Sequence, residues 1–290
     1  MPKPSEPAGC CFLKERIAMI ELSDTEFDEI YRYIRALYGI NLERKKYLIE
    51  SRLWIELARS KSDTYEEYWQ KLQKDDTGAM ERRMMNLLTT NYTFFCREQQ
   101  HFDFMRWQVI PDLPAGRTNP LRIWSAGCAT GQECYTLAME LTDCRTMGIL
   151  RLPFFILGTD LSETAVAKAK RGTYGSADYA RLPDAWQSLY CGNFQDGQFK
   201  VSESIRSCVH FQRHNLMSTP PIPANYDMIF CRNVLIYFRD RERAALIKRL
   251  VDALRPGGYL MVGHTESLLS IPSDLQYVQP AVYKKPEELT

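Results

Sequence analysis

Four positions that could serve a ligand fall where apolar runs stop. Gly127 follows Leu121, Ile123 and Trp124; Asp160 follows Phe154, Phe155, Ile156 and Leu157; Asn215 and Asn233 stand just past two further runs, at 209–211 and 226–230. Gly127 and Gly131 let a backbone approach a ligand closely, and a helix starting there turns unpaired N–H groups toward it. Glu133 opens that helix. A carboxylate closing the next run, as Asp160 does, stands where nucleotide-binding folds accept hydrogen bonds from ribose hydroxyls. The turn is neither GxGxxG nor GxxxxGK[ST] and has no phosphate-binding lysine, so a nucleoside without phosphates suits it better than a dinucleotide or triphosphate.

Bringing such residues together takes a sheet. Residues 121–141 read as strand, glycine turn and helix, and the alternation continues with a strand over 152–160 and a helix over 162–170. Strands at 209–211, 226–230 and 259–262 follow, with a helix over 241–254 before the last. Such alternation implies a doubly wound, mostly parallel sheet with right-handed crossovers and ligands at the carboxyl ends of its strands. The rhythm breaks over 174–209. There, residues 190–201 set Gly192, Asn193, Asp196 and Gly197 between short apolar runs, which predicts a hairpin added to the main sheet.

The N-terminal part reads differently. Residues 1–20 look like a flexible tail; Ser23 and Glu26 then form a capping-box pattern, opening a helix through Phe27, Ile30, Ile34 and Leu37 that Gly39 ends. A helix over 42–58 places Ile49, Leu53 and Leu57 on one face, while Lys45, Arg52 and Arg59 recur at seven-residue spacing on another. That basic stripe is either a solvated face or a docking face for an acidic partner. With further helices over 64–73 and 78–88, the expected organisation is an all-α domain over 21–88, a linker over 89–118, and an α/β domain over 119–290 with an insertion at about 174–209.

The 290 residues are 45% apolar and 25% charged with a net charge of +1, which excludes any global attraction to nucleic acid. Nine cysteines without a CxxC pair or a His/Cys cluster at ligand spacing point to a reduced, cytoplasmic protein with no structural metal. No apolar run reaches the roughly 18 residues that a membrane span needs. A monomer is expected.

A common phosphate-free ligand is S-adenosylmethionine, its ribose on Asp160, its methionine part near the glycine turn and its adenine between apolar side chains. Here the sequence meets a known family. Residues 88–98 (Leu-Thr-Thr-Asn-Tyr-Thr-Phe-Phe-Cys-Arg-Glu), with His101-Phe102, resemble the signature of CheR-type chemotaxis receptor methyltransferases. So do the 126–133 turn, Gly158-Thr159-Asp160-Leu161-Ser162, the 230–238 block and Gly263-His264-Thr265-Glu266-Ser267, in consistent order over residues 23–285.

The resemblance implies a class I S-adenosylmethionine-dependent methyltransferase domain, an α/β fold with a small antiparallel β insertion, preceded by an all-α docking domain. It implies that the cofactor is held by Asn91, Thr93 and Arg97 from the linker, with Gly127, Glu133, Asp160, Asn215 with Leu216, and Asn233 with Val234, and is released as S-adenosylhomocysteine. It also implies methyl transfer to glutamate side chains on the cytoplasmic helices of chemoreceptors, with Lys45, Arg52 and Arg59 as the docking face. A glutamate is already an anion at neutral pH and needs no general base, so Arg97 and Tyr237 are the candidates for orienting it, and His101 and His264 receive no role. Where the family usually reads Gly-Glu-Glu-Pro-Tyr-Ser, this chain has Gly131-Gln132-Glu133-Cys134-Tyr135-Thr136, and its hairpin is short beside the β-subdomain that in some members grips a receptor's C-terminal pentapeptide. The residues leave two other readings open: a methyltransferase on nucleic acid or a small molecule, though the Asn/Asp-Pro-Pro-Tyr/Phe motif is absent, or a regulatory protein that binds the cofactor without turnover.

Overall fold

The computed structural model describes residues 20–114, 116–220 and 225–287, so the expected tail lies outside the described residues apart from its last position. The chain divides into two compact units between Thr90 and Asn91.

The first unit is all helical. In α1 (Asp24–Tyr38) the Ser23–Glu26 capping box is complete, Gly39 closes the helix at φ +69°, and Phe27, Ile30 and Ile34 are buried. The second helix, α2 (Lys46–Ser60), starts later than the apolar pattern suggests. Leu42 is buried but belongs to the preceding turn, where its carbonyl accepts the Lys45 N–H at 2.8 Å. Thr64 accepts the Glu67 N–H and caps α3 (Tyr65–Gln73), and α4 (Ala79–Leu88) completes the unit.

The second unit opens with α5 (Gln100–Phe104), which widens into a π turn over Met105–Val109. Then come β1 (Leu121–Ala126), α6 (Gln132–Thr146), β2 (Phe154–Asp160), α7 (Glu163–Arg171), β3 (Thr173–Gly175), α8 (Ser176–Tyr179), α9 (Asp184–Tyr190), β4 (Gln198–Lys200) and α10 (Glu203–Arg206). The chain continues through β5 (Val209–Arg213), β6 (Tyr226–Cys231), α11 (Asp240–Ala253), β7 (Leu254–Val262), β8 (Gln276–Gln279) and β9 (Val282–Lys284). The main sheet has the order β5-β2-β1-β6-β7-β9-β8. Its first five strands are parallel, and β9 runs antiparallel to both β7 and β8. Along β1, Leu121 and Ile123 face one apolar cluster while Trp124 and Ala126 face the other, so both faces of the sheet are covered.

One expectation fails. The insertion does not add a hairpin to the main sheet: β4 pairs with β3 in a separate two-stranded antiparallel sheet, Tyr174 opposite Phe199. Both rings are buried, with centroids 5.9 Å apart, and that packing draws β4 to β3, while 184–190 coils as α9 and 191–201 folds back on itself through the antiparallel bridges Cys191–Val201 and Gln195–Gln198. The β8–β9 pair was not anticipated either, because β8 is largely exposed and carries no alternating apolar signal.

Candidate functional site

The glycine turn is tied down at both ends. Gly127 and Cys128 both donate to the Thr159 carbonyl at 2.8 Å, fastening the end of β1 to β2. Gly127 has φ +91°, and a Cβ there would lie 2.4 Å from Val234 Cγ2; at Gly131, φ +95°, it would lie 2.8 Å from Ala169 Cβ. Only glycine fits either position without moving a neighbour. Asp160 Oδ2 accepts the Ala129 N–H at 2.9 Å and Oδ1 the Ser162 N–H at 2.8 Å. Burial pushes this carboxyl up, and the N–H groups of Ser162, Ala129 and Leu161 oppose that. His214 N–H donates to the Asp160 carbonyl at 2.9 Å, which brings Asn215 and the half-buried Leu216 beside the end of β2. Asn215 Oδ1 accepts the Met217 N–H at 3.0 Å.

The other half of the site is built around a residue that sequence reasoning did not single out. Arg232, just past β6, is buried, and its Nη1 donates to Glu133 Oε2 at 2.9 Å. Its Nη2 and Nε donate to Glu98 Oε2 at 3.1 and 3.3 Å, and Nη2 also reaches the Arg97 carbonyl. Glu133 accepts the Ser125 hydroxyl at 2.7 Å as well, and Asn233 Nδ2 donates to Glu98 Oε1 at 3.3 Å. Burial pushes both carboxyls up. At Glu98 the Arg232 charge and the bonds from Arg232 and Asn233 outweigh it, leaving the group below the usual carboxylate value, whereas Glu133 stays above it. Glu266 supports the same loop, accepting the N–H groups of Asn233 at 2.7 Å, Ile236 at 3.1 Å and Gly263 at 2.7 Å. An arginine between a cysteine and an asparagine in a loop was no signal by itself, because its carboxylate partners are over 90 residues away in sequence.

The segment after Thr90 belongs to this site. Phe95 is buried against Tyr174 and Phe199 of the insertion, and Cys96 N–H donates to Thr136 Oγ1 at 3.2 Å. Cys96, Glu98 and Asn233 have φ +58°, +53° and +58°. Left-handed backbone costs a non-glycine residue about 1–2 kcal/mol, and such strain persists only where surrounding contacts over-determine it. Arg97 is half-buried, with its guanidinium 5.6 Å from the Phe94 ring and Nη1 donating to the Tyr92 carbonyl at 3.3 Å. Among the described residues it joins no ion pair. Asn91 and Thr93 are half-buried in the same stretch. Tyr237 ends the short Leu235–Tyr237 helix and packs, partly buried, on the α11 side of the sheet. The structure therefore gathers Gly127, Glu133, Asp160, Asn233, Val234 and the Arg97 backbone around the strand ends, with Asn215 beside them.

Glu98, His101 and His264 are residue types that could ligate a metal, with His101 Nδ1 3.7 Å and His264 Nε2 3.9 Å from Glu98 Oε2. That oxygen already accepts two Arg232 N–H groups, so a guanidinium occupies the cation's place. Burial lowers His101 to about 3 and keeps it neutral, and neither ring nitrogen has a hydrogen-bond partner among the described residues.

In the first unit the basic stripe divides. Lys45 and Arg59 are exposed, Arg59 leaning on Glu56 at 3.4 Å. Arg52 is half-buried, its Nη1 donating to the carbonyls of Leu87 at 2.9 Å, Leu88 at 3.3 Å and Thr89 at 3.2 Å. It therefore caps α4. The exposed face of α2 carries Tyr47, Trp54 and Ile55.

A sulfonium nucleoside fits the chemistry of the strand ends: the carboxylates of Glu133 and Asp160 and the amides of Asn215 and Asn233 stand around a turn whose two glycines carry no side chain. The family model described as "CheR methyltransferase, SAM binding domain" matches residues 91–283, and the one described as "CheR methyltransferase, all-alpha domain" matches residues 25–89. The chain is 36% identical over 267 residues to a chemotaxis protein methyltransferase of Borreliella burgdorferi, covering 89% of this chain and 94% of that protein. It is 33% identical over 261 residues to the chemotaxis protein methyltransferase Cher2 of Pseudomonas putida, covering 88% and 94%. The chain belongs to the CheR methyltransferase family, its first unit matching that family's all-α domain and its second the domain that binds S-adenosylmethionine.

Proposed function

We propose that this protein acts in the cytoplasm as a protein-glutamate O-methyltransferase, transferring a methyl group from S-adenosylmethionine to glutamate side chains on the cytoplasmic helices of chemoreceptors. The curated relatives, named chemotaxis protein methyltransferases, support that setting. The observation that carries the reading is Arg97, a guanidinium with no carboxylate partner among the described residues, at the end of a segment held by Arg232. An anionic acceptor suits it, whereas an amine or ring nitrogen does not.

When bound, the cofactor supplies a methyl group on a positively charged sulfur. The glutamate acceptor, with a pKa near 4.3, is already its own nucleophile, so the chain has to position and desolvate rather than remove a proton. The neutral, buried His101 and the engaged Asp160 and Glu133 accord with a site lacking a general base. In this reading Arg97 and Tyr237 orient the acceptor carboxylate, and Asn91, Thr93, Gly127, Glu133, Asp160, Asn215, Leu216, Asn233 and Val234 hold the cofactor. Lys45 and Arg59, beside Tyr47 and Trp54, face the acidic receptor helix, with Arg52 supporting from behind.

Incubation with methyl-labelled S-adenosylmethionine and receptor cytoplasmic fragments tests the proposal. Label on the receptor that mild base releases is expected. Base-stable label, label on nucleic acid alone, or no transfer would overturn it.

A further inference from the structure

The Arg232 side chain joins three elements that the chain brings in from far apart: the end of β6, the first turn of α6 through Glu133, and the 97–98 peptide through Glu98 Oε2 and the Arg97 carbonyl. A guanidinium offers five N–H donors in a rigid plane, and four donor–acceptor pairs are made here. Phe102 lies under that plane, 5.4 Å from Cζ. The partners are themselves engaged, Glu133 with Ser125 and Glu98 with Asn233. Cys96 and Glu98 on one side and Asn233 on the other all hold left-handed backbone that no glycine relieves. The local bonds among the described residues, His101 N–H to the Glu98 carbonyl at 3.1 Å and Arg97 Nη1 to the Tyr92 carbonyl at 3.3 Å, are few for two left-handed residues. Long-range ties add to them, and the charged ones among those described converge on Arg232.

We infer that Arg232 and Glu98 are positioning residues for methyl transfer: their ion pair latches the 96–98 segment to the end of β6, and so aims the Arg97 side chain at the acceptor. The latch touches the cofactor site through Glu133 and Asn233 but does not hold the glycine turn. Asp160 and the glycine turn hold their geometry through backbone hydrogen bonds that do not pass through Glu98. Loosening the latch at Glu98 therefore lowers turnover more than cofactor affinity, because Asp160 and the glycine turn keep their shape.

Glu98→Gln keeps the shape and an acceptor oxygen but removes the charge; Arg232→Lys keeps the charge but cannot span both carboxylates. Removing a charge-assisted hydrogen bond that acts only on orientation predicts a kcat lower by about 10- to 100-fold for Glu98→Gln, with the KM for S-adenosylmethionine within about threefold. Because both substitutions open one link, the double variant should be no slower than the slower single variant. Amide hydrogen exchange over 95–99 should quicken at least about tenfold in Glu98→Gln without a matching change in the peptides of β1 and β2. Wild-type exchange over 95–99 in Glu98→Gln, a KM increase with kcat unchanged, or additive losses in the double variant would overturn the latch. The kinetic arm rests on the methyl-transfer reading and the exchange arm does not. Failure of the wild type to methylate a receptor fragment would count against that reading, while the exchange result still decides the latch.

Discussion

Gly127→Ala isolates the closest approach in the site. Two costs arise. Alanine in left-handed backbone at φ +91° costs about 1–2 kcal/mol, and its Cβ would sit 2.4 Å from Val234 Cγ2, well inside the ordinary carbon–carbon contact of about 3.5–4.0 Å. Val234 must then retreat by more than about 1 Å, an overpacking cost of about 1–3 kcal/mol. Val234 lies half-buried in the loop after β6 that faces the turn, so the protein relieves the clash by displacing it, and the penalty returns when the cofactor needs that loop in place. The expected result is S-adenosylhomocysteine affinity weaker by about 5- to 150-fold, from about 1–3 kcal/mol at 1.4 kcal/mol per decade. Titration calorimetry reads this directly, with thermal unfolding followed alongside. Gly148→Ala is the control, because Gly148 shares a positive φ of +73° but nothing lies within 4 Å of the added Cβ. It should lose about 1–2 kcal/mol of stability and no affinity. The double variant Gly127→Ala with Val234→Ala removes the clashing methyl and should bind more tightly than Gly127→Ala alone. Wild-type affinity in Gly127→Ala, or no recovery in the double variant, would refute the reasoning.

Asp227 is 1% exposed and accepts from Arg117, Arg255 and the Arg122 N–H, so Asp227→Ala should cost about 3–5 kcal/mol in denaturant unfolding by stranding two guanidinium groups. Burial pushes its carboxyl up, but those partners hold it below the usual range; its contribution is thus complete above the unfolded value of about 3.9 and is lost as pH falls through the lower folded value. The variant's acid unfolding curve should lose that component. Reversing the exposed charges, Lys45→Glu with Arg59→Glu, should slow receptor methylation about 3- to 10-fold at low salt with S-adenosylhomocysteine affinity unchanged; equal loss of cofactor binding would count against docking. Arg52→Ala should instead lower thermal stability by about 1–3 kcal/mol, because α4 loses the donor on its last carbonyls. Methyl transfer should be nearly flat between about pH 6 and 8.5, since an ionised glutamate needs no base; a rate climbing tenfold per pH unit there would contradict the proposal.

Much of this molecule was legible in its residues. The capping box at Ser23 and Glu26, the strand–turn–helix at 121–141 and the polar residues closing each apolar run depend on near neighbours and on a fixed period, so local chemistry reveals them. Parallel strands joined through helices then put Gly127, Asp160, Asn215 and Asn233 at one edge of a sheet, whatever the details of packing. What stayed hidden was every property set by partners distant in the chain. Seven-residue spacing put Arg52 on a basic stripe, but only the fold sets α4 behind it and gives its guanidinium three carbonyls. The 190–201 apolar pattern suited a hairpin on the main sheet, yet burial of Phe199 against Tyr174 decided its pairing. Arg232 looked like one charge among thirty-seven basic residues until the tertiary structure buried it between Glu98 and Glu133. A buried charge acquires its role from what surrounds it, and those surroundings exist only once the chain has folded.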